Sequence, residues 1–217
     1  MLIRRTIIKE YINGLEKAVF SGHIYTVNTP EETEKAIEYL KNFKLLGIDT
    51  ETRPSFSKGH MHKVALLQIS TEEECFLFRL NLTGLTLPII QLLENPDILK
   101  IGVSLHDDLM MMHKRAPFEA KGIIELQTFV KEFGIQDMSL QKIYANIFNQ
   151  KISKSQRLSN WEANSLSESQ KQYAAMDAWA CLKIYTKLTL LKESGDWEPE
   201  PEPVSVEEVI IETSTIR

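Results

Sequence analysis

The chain has 217 residues, of which 43% are hydrophobic and 25% charged, and its formal net charge is −5. That length predicts one or two domains with a sizeable core. No run approaches the roughly 18 apolar residues that a membrane span needs, so we expect no membrane association. Cys75 and Cys181 are far apart and lack neighbours at zinc-ligand spacing, which argues against a disulfide framework or a zinc site and fits a reducing, cytoplasmic location.

Negative charge is concentrated at the end of the sequence. Residues 193–217 contain eight acids and one arginine, a charge of −7, which leaves +2 for residues 1–192. A near-neutral body does not exclude a polyanionic partner. We expect an N-terminal extension formed by an amphipathic helix (1–22), a globular body (23–192) and an acidic tail (193–217), in which "EPEPEP" is an extended linker and "VSVEEVIIE" a possible strand.

The first elements of the body can be placed from periodicity and capping signals. "HIYTVNT" alternates as a strand does. Thr29 is a good N-cap, with Pro30 at the first helical position and Glu32 at the capping-box position, so a helix is predicted over "TPEETEKAIEYLKNF". The apolar runs "KLLGIDTE", "VALLQIS" and "ECFLFRL" predict three strands that form a meander.

The second half of the body is predicted to be mostly helical. A helix around "LPIIQLLEN" and a strand "ILKIGVS" come first, and Ser167 and Gln170 form a capping box for the last helix. Early strands and late helices, with one later strand joining the sheet, predict an α/β fold with a mixed β-sheet flanked by α-helices. The helices of this half are expected at 105–115, 123–133, 138–149 and 167–192.

The strand "LLGIDTE" ends in two acids that point the same way. Side chains alternate along a strand, so Asp49 and Glu51 share one face and lie about 7 Å apart. Like charges at this separation raise each other's pKa unless a cation offsets them. The alternative explanation is a strand that simply reaches solvent at its end, and this motif alone does not decide between the two.

The last helix carries an acid within its apolar stripe. Asp177 occupies a core position, and Tyr173 lies one turn earlier on the same face, so hydroxyl and carboxylate can address the same point. An aspartate is seldom buried without a partner. The alternative is a tyrosine packed in the core beside an acid at its rim.

A third acidic position follows the strand "ILKIGVS". Asp107 and Asp108 occupy the first turn of the next helix, where the helix dipole favours acids for structural reasons alone. One sheet can bring all three acidic positions together at the ends of its elements. Carboxylates that converge in one pocket need a hard divalent cation such as Mg²⁺ or Mn²⁺, and two such ions about 3.5–4 Å apart form the phosphoryl-transfer site of nucleases and polymerases.

Taken together and in this order, the motifs resemble the DEDDy branch of the DnaQ-like 3′–5′ exonuclease superfamily, the branch of ribonuclease D and the Werner exonuclease domain. The resemblance covers roughly residues 24–192 and is carried by "GIDTETRPSF", "VALLQIS", "IGVSLHD" and "LSNWEANSLSESQKQYAAMDA". Tyr173, where other branches have histidine, indicates the tyrosine branch. The resemblance implies a ribonuclease H-like fold and a metal-dependent 3′–5′ exonuclease that releases nucleoside 5′-monophosphates.

The resemblance also implies a role for each residue in a two-metal mechanism. Asp49 would bridge both ions, Glu51 and Asp177 would complete the shell of the ion that activates water, and Asp108 would hold the second ion directly or through water. Tyr173 would orient the attacking water. The cofactors would be two Mg²⁺ or Mn²⁺ ions.

The family motif has an acid between the D-x-E pair and the acid of the last helix, and we choose the residue for this middle position by its spacing. Asp107 competes with Asp108 for this role, because the two are adjacent in the first helical turn. The separation from Gly102 matches the family motif for Asp108, which we therefore prefer.

Substrate contacts are predicted just before the last helix. "KISKSQRLSNWE" places Lys154 and Arg157 near Trp161. Basic side chains beside an aromatic suit a single-stranded 3′ end of DNA or RNA, with ionic contacts to phosphate and stacking on a base. A solvated loop with a packed tryptophan is an equally good explanation. We expect the protein to act as a monomer.

Two other functions fit the same sequence. One is a catalytically silent nucleic-acid-binding domain of the same fold, because fold alone does not guarantee activity. The other is a phosphodiesterase of very short oligonucleotides, which the modest positive charge of the body allows. The presence of all four acids and the tyrosine favours the exonuclease.

Overall fold

The computed structural model describes residues 1–56 and 61–201. Over these residues β-strands and α-helices are interspersed along the chain, and Val130–Phe133 forms a 3-10 helix. The strands are β1 (Leu2–Ile3), β2 (His23–Val27), β3 (Leu45–Glu51), β4 (Leu66–Ser70), β5 (Glu74–Phe78), β6 (Leu99–Gly102), β7 (Ile123–Glu125) and β8 (Glu198–Pro199). The helices are α1 (Lys9–Asn13), α2 (Pro30–Leu40), α3 (Leu80–Thr83), α4 (Leu87–Glu94), α5 (Leu105–His113), α6 (Leu126–Phe129), α7 (Leu140–Phe148) and α8 (Glu168–Ser194).

Six strands form a central mixed sheet in the order β2-β5-β4-β3-β6-β7. The pairs β3–β4 and β4–β5 are antiparallel, which confirms the predicted meander. The pairs β2–β5, β3–β6 and β6–β7 are parallel. Helices pack on both faces of this sheet, so the predicted α/β class with a flanked mixed sheet is confirmed.

Each face of the sheet has its own apolar core. Helices α7 and α8 cover one face, where Leu66, Leu77 and Ile101 are buried. Helices α2 and α4 cover the other, where side chains such as Leu46 are buried. Helix α8 lies very close to β3, because a Cβ on Gly47 would overlap the backbone carbonyl of Ala178, and glycine is the residue that allows this approach.

Both predicted capping boxes are present. The Thr29 hydroxyl accepts a hydrogen bond from the Glu32 amide, and the Ser167 hydroxyl accepts one from the Gln170 amide. These side chains satisfy amides that have no partner within the helix, and they fix where α2 and α8 begin.

The amphipathic helix predicted for the first 22 residues is wrong. Only Lys9–Asn13 is helical, and Leu2–Ile3 pairs in parallel with Glu198–Pro199. The Ile7 amide donates to the Asp137 carboxylate at 2.7 Å, and Phe20 is buried in the α8-side core. The segment pairs part of its backbone with the body of the protein and buries Ile3, Ile7 and Phe20 against it, which local periodicity cannot reveal.

The helix predicted over residues 123–133 is wrong in its first part. Ile123–Glu125 forms the edge strand β7, so two later strands join the sheet where one was expected. Two consecutive β-branched residues favour a strand once a partner such as β6 is available. Near the C-terminus, part of the predicted linker pairs as β8, and the possible strand "VSVEEVIIE" lies outside the described residues.

Within residues 1–56 and 61–201, none of the helices combines the length and the apolar character that crossing a bilayer requires.

Candidate active site

The end of β3 carries Asp49 and Glu51 on the face of the sheet that α8 covers. Glu51 lies opposite Leu66 of β4, and Asp49 lies opposite Gln68. Glu51 is only 8% exposed, whereas Asp49 is half-buried. The strand therefore does not reach open solvent at these residues, and the solvent explanation of the D-x-E motif is excluded.

Helix α8 adds the third acid. Asp177 is 5% exposed and Tyr173 8% exposed, and both point toward the end of β3. Ligand oxygens of Asp49, Glu51 and Asp177 all lie within 4.8 Å of one another. Tyr173 is near enough to the Asp177 carboxylate to lower the pKa of that acid. Two acids of β3 and one acid of α8, which is distant from them in sequence, thus form one cluster.

The acids are held where their ionised forms are disfavoured. Desolvation, followed by the charges of Asp177 and Asp108, raises the pKa of Glu51 to about 9. Desolvation also raises the pKa of Asp177 to about 7, although the hydrogen bond from Tyr173 opposes this rise. The pKa of Asp49 is raised well above its usual range by desolvation and then by the charge of Asp177. Without a cation, the cluster holds protons at neutral pH.

Asp108, in the first turn of α5, lies beside this cluster. Its charge raises the pKa of both Asp49 and Glu51, although it is not among the three acids within 4.8 Å. Desolvation raises the pKa of Asp108 itself to about 6, against a hydrogen bond from the Thr50 side chain that lowers it. The neighbouring Asp107 is exposed. The structure thus brings Asp108, rather than Asp107, to the other acids.

Glu125 is an acid near the site that the sequence analysis missed. Its carboxylate accepts hydrogen bonds from the amides of Ser104 (3.1 Å) and Leu105 (2.8 Å), so it caps the start of α5. Its charge also contributes to the raised pKa of Asp108. The available signal was its place after two apolar residues at a strand end, the same kind of position that Asp49 has.

The donor set fits hard divalent cations. All of the candidate ligands are carboxylate oxygens, which Mg²⁺ and Mn²⁺ prefer. One buried carboxylate oxygen of Asp177 (Oδ1) has no hydrogen-bond partner among the described residues. A buried acceptor without a partner is costly, and a bound cation would satisfy it.

Two basic side chains of the predicted substrate loop lie near the acids. Lys154 and Arg157 are both exposed. The charge of Lys154 lowers the pKa of Asp177, and the charge of Arg157 lowers that of Glu51. These cations are therefore near the acidic pocket and open to solvent.

Trp161 does not have the position that base stacking requires. Its side chain is fully buried, and its ring centroid lies 6.0 Å from that of Tyr173. With no ring face open to a substrate, the stacking prediction for Trp161 is wrong, and the packed-tryptophan alternative is correct. The apolar surroundings of the loop hold the indole inside, where it supports Tyr173.

Comparison with known proteins agrees with this site. A family model described as 3′–5′ exonuclease matches residues 24–192. The bifunctional 3′–5′ exonuclease/ATP-dependent helicase WRN of Mus musculus is 31% identical over 162 residues, which cover 72% of this chain but 12% of that protein. The chain therefore spans a small part of that relative.

Solved structures share the fold. The EXO domain of Aedes aegypti Nibbler matches with a TM-score of 0.72 at 21% identity, covering 81% of this chain and 91% of that one. Ribonuclease D of Trypanosoma brucei in complex with RNA U12 matches with a TM-score of 0.68 at 17% identity, covering 78% and 63%. The expected ribonuclease H-like fold is confirmed. The chain belongs to the 3′–5′ exonuclease family of the DnaQ-like superfamily.

Proposed function

We propose that this chain uses two divalent cations, Mg²⁺ or Mn²⁺, to hydrolyse the last phosphodiester bond at the 3′ end of a nucleic acid strand and release a nucleoside 5′-monophosphate. The observation that supports this most directly is the convergence of Asp49, Glu51 and Asp177 within 4.8 Å, with Asp108 beside them. Four acids in one partly buried pocket repel one another, and divalent cations would remove that repulsion.

The four acids would hold the cations. Asp49, Glu51 and Asp177 would supply most of the ligand oxygens, and Asp108, which lies beside them, would add a further carboxylate. When bound, the cations would activate a water molecule for in-line attack and offset the charge that develops on the departing 3′ oxygen. Because the pKa of Glu51 is about 9 in the metal-free protein, cation binding must release protons from the cluster.

Tyr173 would act as a hydrogen-bond donor rather than as a base. Its pKa is raised far above the usual value by desolvation and then by the charge of Asp177, so the phenol stays protonated at neutral pH. A protonated phenol next to Asp177 can donate a hydrogen bond to the attacking water and hold it in line with the scissile bond.

Lys154 and Arg157 would contact the phosphates of a single-stranded 3′ end. Both are exposed and near the acids, and phosphate contacts position a strand without reading its sequence. The ribonuclease D relative was solved with RNA, which supports RNA as the first substrate to test beside DNA. A monomeric state, a cytoplasmic location and the region boundaries at 22/23 and 192/193 stay predictions.

A cleavage assay tests the proposal. A 5′-labelled single strand is incubated with the protein and Mn²⁺, Mg²⁺ or a chelator, with Asp49→Asn in parallel. We expect a ladder that shortens from the 3′ end only with metal, and none with the variant. Intact strand retained by the protein in every lane would favour a silent binding domain, and cleavage limited to dinucleotides would favour a short-oligonucleotide phosphodiesterase.

A second assay tests the substrate loop. Replacing both Lys154 and Arg157 by Ala is expected to raise KM for a single strand by about tenfold and to make the rate less sensitive to salt, because two phosphate contacts are lost. The matched control is Lys192→Ala, an exposed lysine about 20 Å along α8 from Asp177. Equal effects of the two changes would contradict the assignment.

A further inference from the structure

Gln68 is a buried polar residue that no part of the proposed mechanism uses. It lies in the middle of β4 and its side chain has no solvent exposure. Neither its amide nitrogen nor its amide oxygen has a hydrogen-bond partner among the described residues. Buried amides are nearly always hydrogen-bonded, so this one calls for an explanation.

The position of Gln68 in the sheet connects it with the acidic cluster. It lies directly opposite Asp49 in the antiparallel pair β3–β4, so both side chains point toward α8. Residues paired in this way have Cβ atoms about 4.5–5.5 Å apart. Its neighbour across β5 is Leu77, which offers no polar group. Asp49 is therefore the polar side chain that pairs with Gln68 across the sheet.

Packing alone does not account for an amide at this place. Two residues further along the same face of β4, the Ser70 hydroxyl donates to the carbonyls of Thr71 and Glu74, so the strand satisfies another buried polar group nearby. Leu66, two residues before, is apolar and fully buried. An apolar side chain of the size of Gln68 would fill the same space without an unpaired donor and acceptor.

We propose that Gln68 is a positioning residue for Asp49. The Gln68 amide would donate a hydrogen bond to the Asp49 carboxylate and fix the orientation in which Asp49 would hold the cations. Groups that orient metal ligands in this way commonly determine metal affinity. This inference rests on the proposed metal-dependent function and assigns a residue to it beyond the four acids and Tyr173.

The test separates metal binding from folding. Gln68→Met keeps the approximate size and removes the amide, and Gln68→Leu serves as a second variant with the same property. The control is Leu67→Met, a fully buried neighbour in the same strand whose side chain points to the opposite core. Mn²⁺ affinity is measured by titration, thermal unfolding is followed with chelator and with Mn²⁺, and cleavage is measured at saturating Mn²⁺.

We expect Gln68→Met to bind Mn²⁺ about 10–100-fold more weakly, which is the usual effect of losing a group that orients a metal ligand. Its unfolding temperature in chelator should equal or exceed that of the unmodified protein, while the increase that Mn²⁺ produces should shrink. Leu67→Met should retain Mn²⁺ affinity. The proposal is overturned if the Gln68 variants keep full Mn²⁺ affinity, or if they unfold at lower temperature in chelator with an unchanged Mn²⁺-induced increase.

The outcome also distinguishes this inference from the proposed function. An unmodified protein that binds no Mn²⁺ and cleaves no strand would overturn both. An unmodified protein that binds Mn²⁺ and cleaves, with Gln68 variants that do the same equally well, would overturn only the role of Gln68.

Discussion

The two faces of β3 differ in what they contribute to stability and to the candidate site. On the face covered by α2 and α4, Leu46 and Ile48 are buried in an apolar core. On the face covered by α8, the same strand ends in Asp49 and Glu51, with Gln68 of the neighbouring strand beside them. One face therefore stabilises the fold, and the other holds mutually repelling acids, which is the kind of destabilising arrangement found at functional sites. Substitutions on the two faces should have opposite effects on stability and activity.

The largest effect is expected from Asp177→Asn. Removing a proposed metal ligand would lose several kcal/mol of charge stabilisation in the transition state, so cleavage should fall by about a thousandfold or more. The metal-free protein should unfold at higher temperature, because one of the mutually repelling acids is gone. Single-turnover cleavage and thermal unfolding in chelator measure the two effects.

Asp107→Asn is the matched control for that change. Asp107 is exposed and lies next to Asp108, so we expect stability within about 0.5 kcal/mol of the unmodified protein and near-normal cleavage. A large loss of cleavage here would transfer the role of the middle acid from Asp108 to Asp107.

On the apolar face, Leu46→Ala should give the opposite pattern. Leu46 is fully buried, and truncating such a residue costs about 2–5 kcal/mol of unfolding free energy. The cleavage rate per folded molecule should not change, because Leu46 points away from the acids. Urea unfolding and cleavage at low temperature test this, and a variant with normal stability but lost cleavage would refute the division between the faces.

Tyr173→Phe is expected to have an intermediate effect. It removes the hydroxyl beside Asp177, which is proposed to orient the attacking water, and leaves the ring packed against Trp161. Losing a hydrogen bond to a charged group, about 1.5–3 kcal/mol, should lower cleavage by about 10–100-fold. Mn²⁺ affinity should stay within a few-fold. Unchanged cleavage would remove Tyr173 from the mechanism.

The smallest expected effect is a dependence of stability on pH. The pKa of Glu51 is raised to about 9 and that of Asp177 to about 7, so the folded protein holds protons that the unfolded chain releases near pH 4. Their contribution to stability is complete below about pH 4 and is lost as pH rises through 7 and then 9. In chelator, the unfolding temperature should fall steadily between pH 6 and pH 9.

Two changes of conditions sharpen the pH prediction. Glu51→Gln should flatten the fall above pH 8, because the group with the higher pKa is removed. Saturating Mn²⁺ should reverse the trend if the ionised cluster binds cations as proposed. A flat profile for the unmodified protein in chelator would contradict the raised pKa values.

Much of the fold could be predicted because its signals are local. The alternation of "HIYTVNT", the capping box at Thr29 and the box at Ser167 each act within a few residues, and all three elements are present. The first 22 residues and Ile123–Glu125 could not be predicted in this way. Their conformation depends on partners far along the chain: β8 for Leu2–Ile3 and β6 for Ile123–Glu125.

The same distinction between local and long-range signals applies to the residues of the candidate site. Alternation placed Asp49 and Glu51 on one face, and helical spacing aligned Tyr173 with Asp177. Trp161 and Gln68 gave no comparable signal. The sequence around a tryptophan beside basic residues is the same whether its side chain is buried or exposed. A role for a glutamine in an apolar strand can be inferred only when its cross-strand partner is known.

The sequence by itself determined which acids this protein has, in what order, and which of them share a face of their own element, because those relations follow from the covalent geometry of strands and helices. Only the tertiary structure decided that α8 lies close enough to β3 to bring Asp177 within 4.8 Å of Asp49 and Glu51, and that Gln68 stands opposite Asp49. Strand register and helix contact depend on packing between segments that are remote in sequence, and no local pattern specifies them.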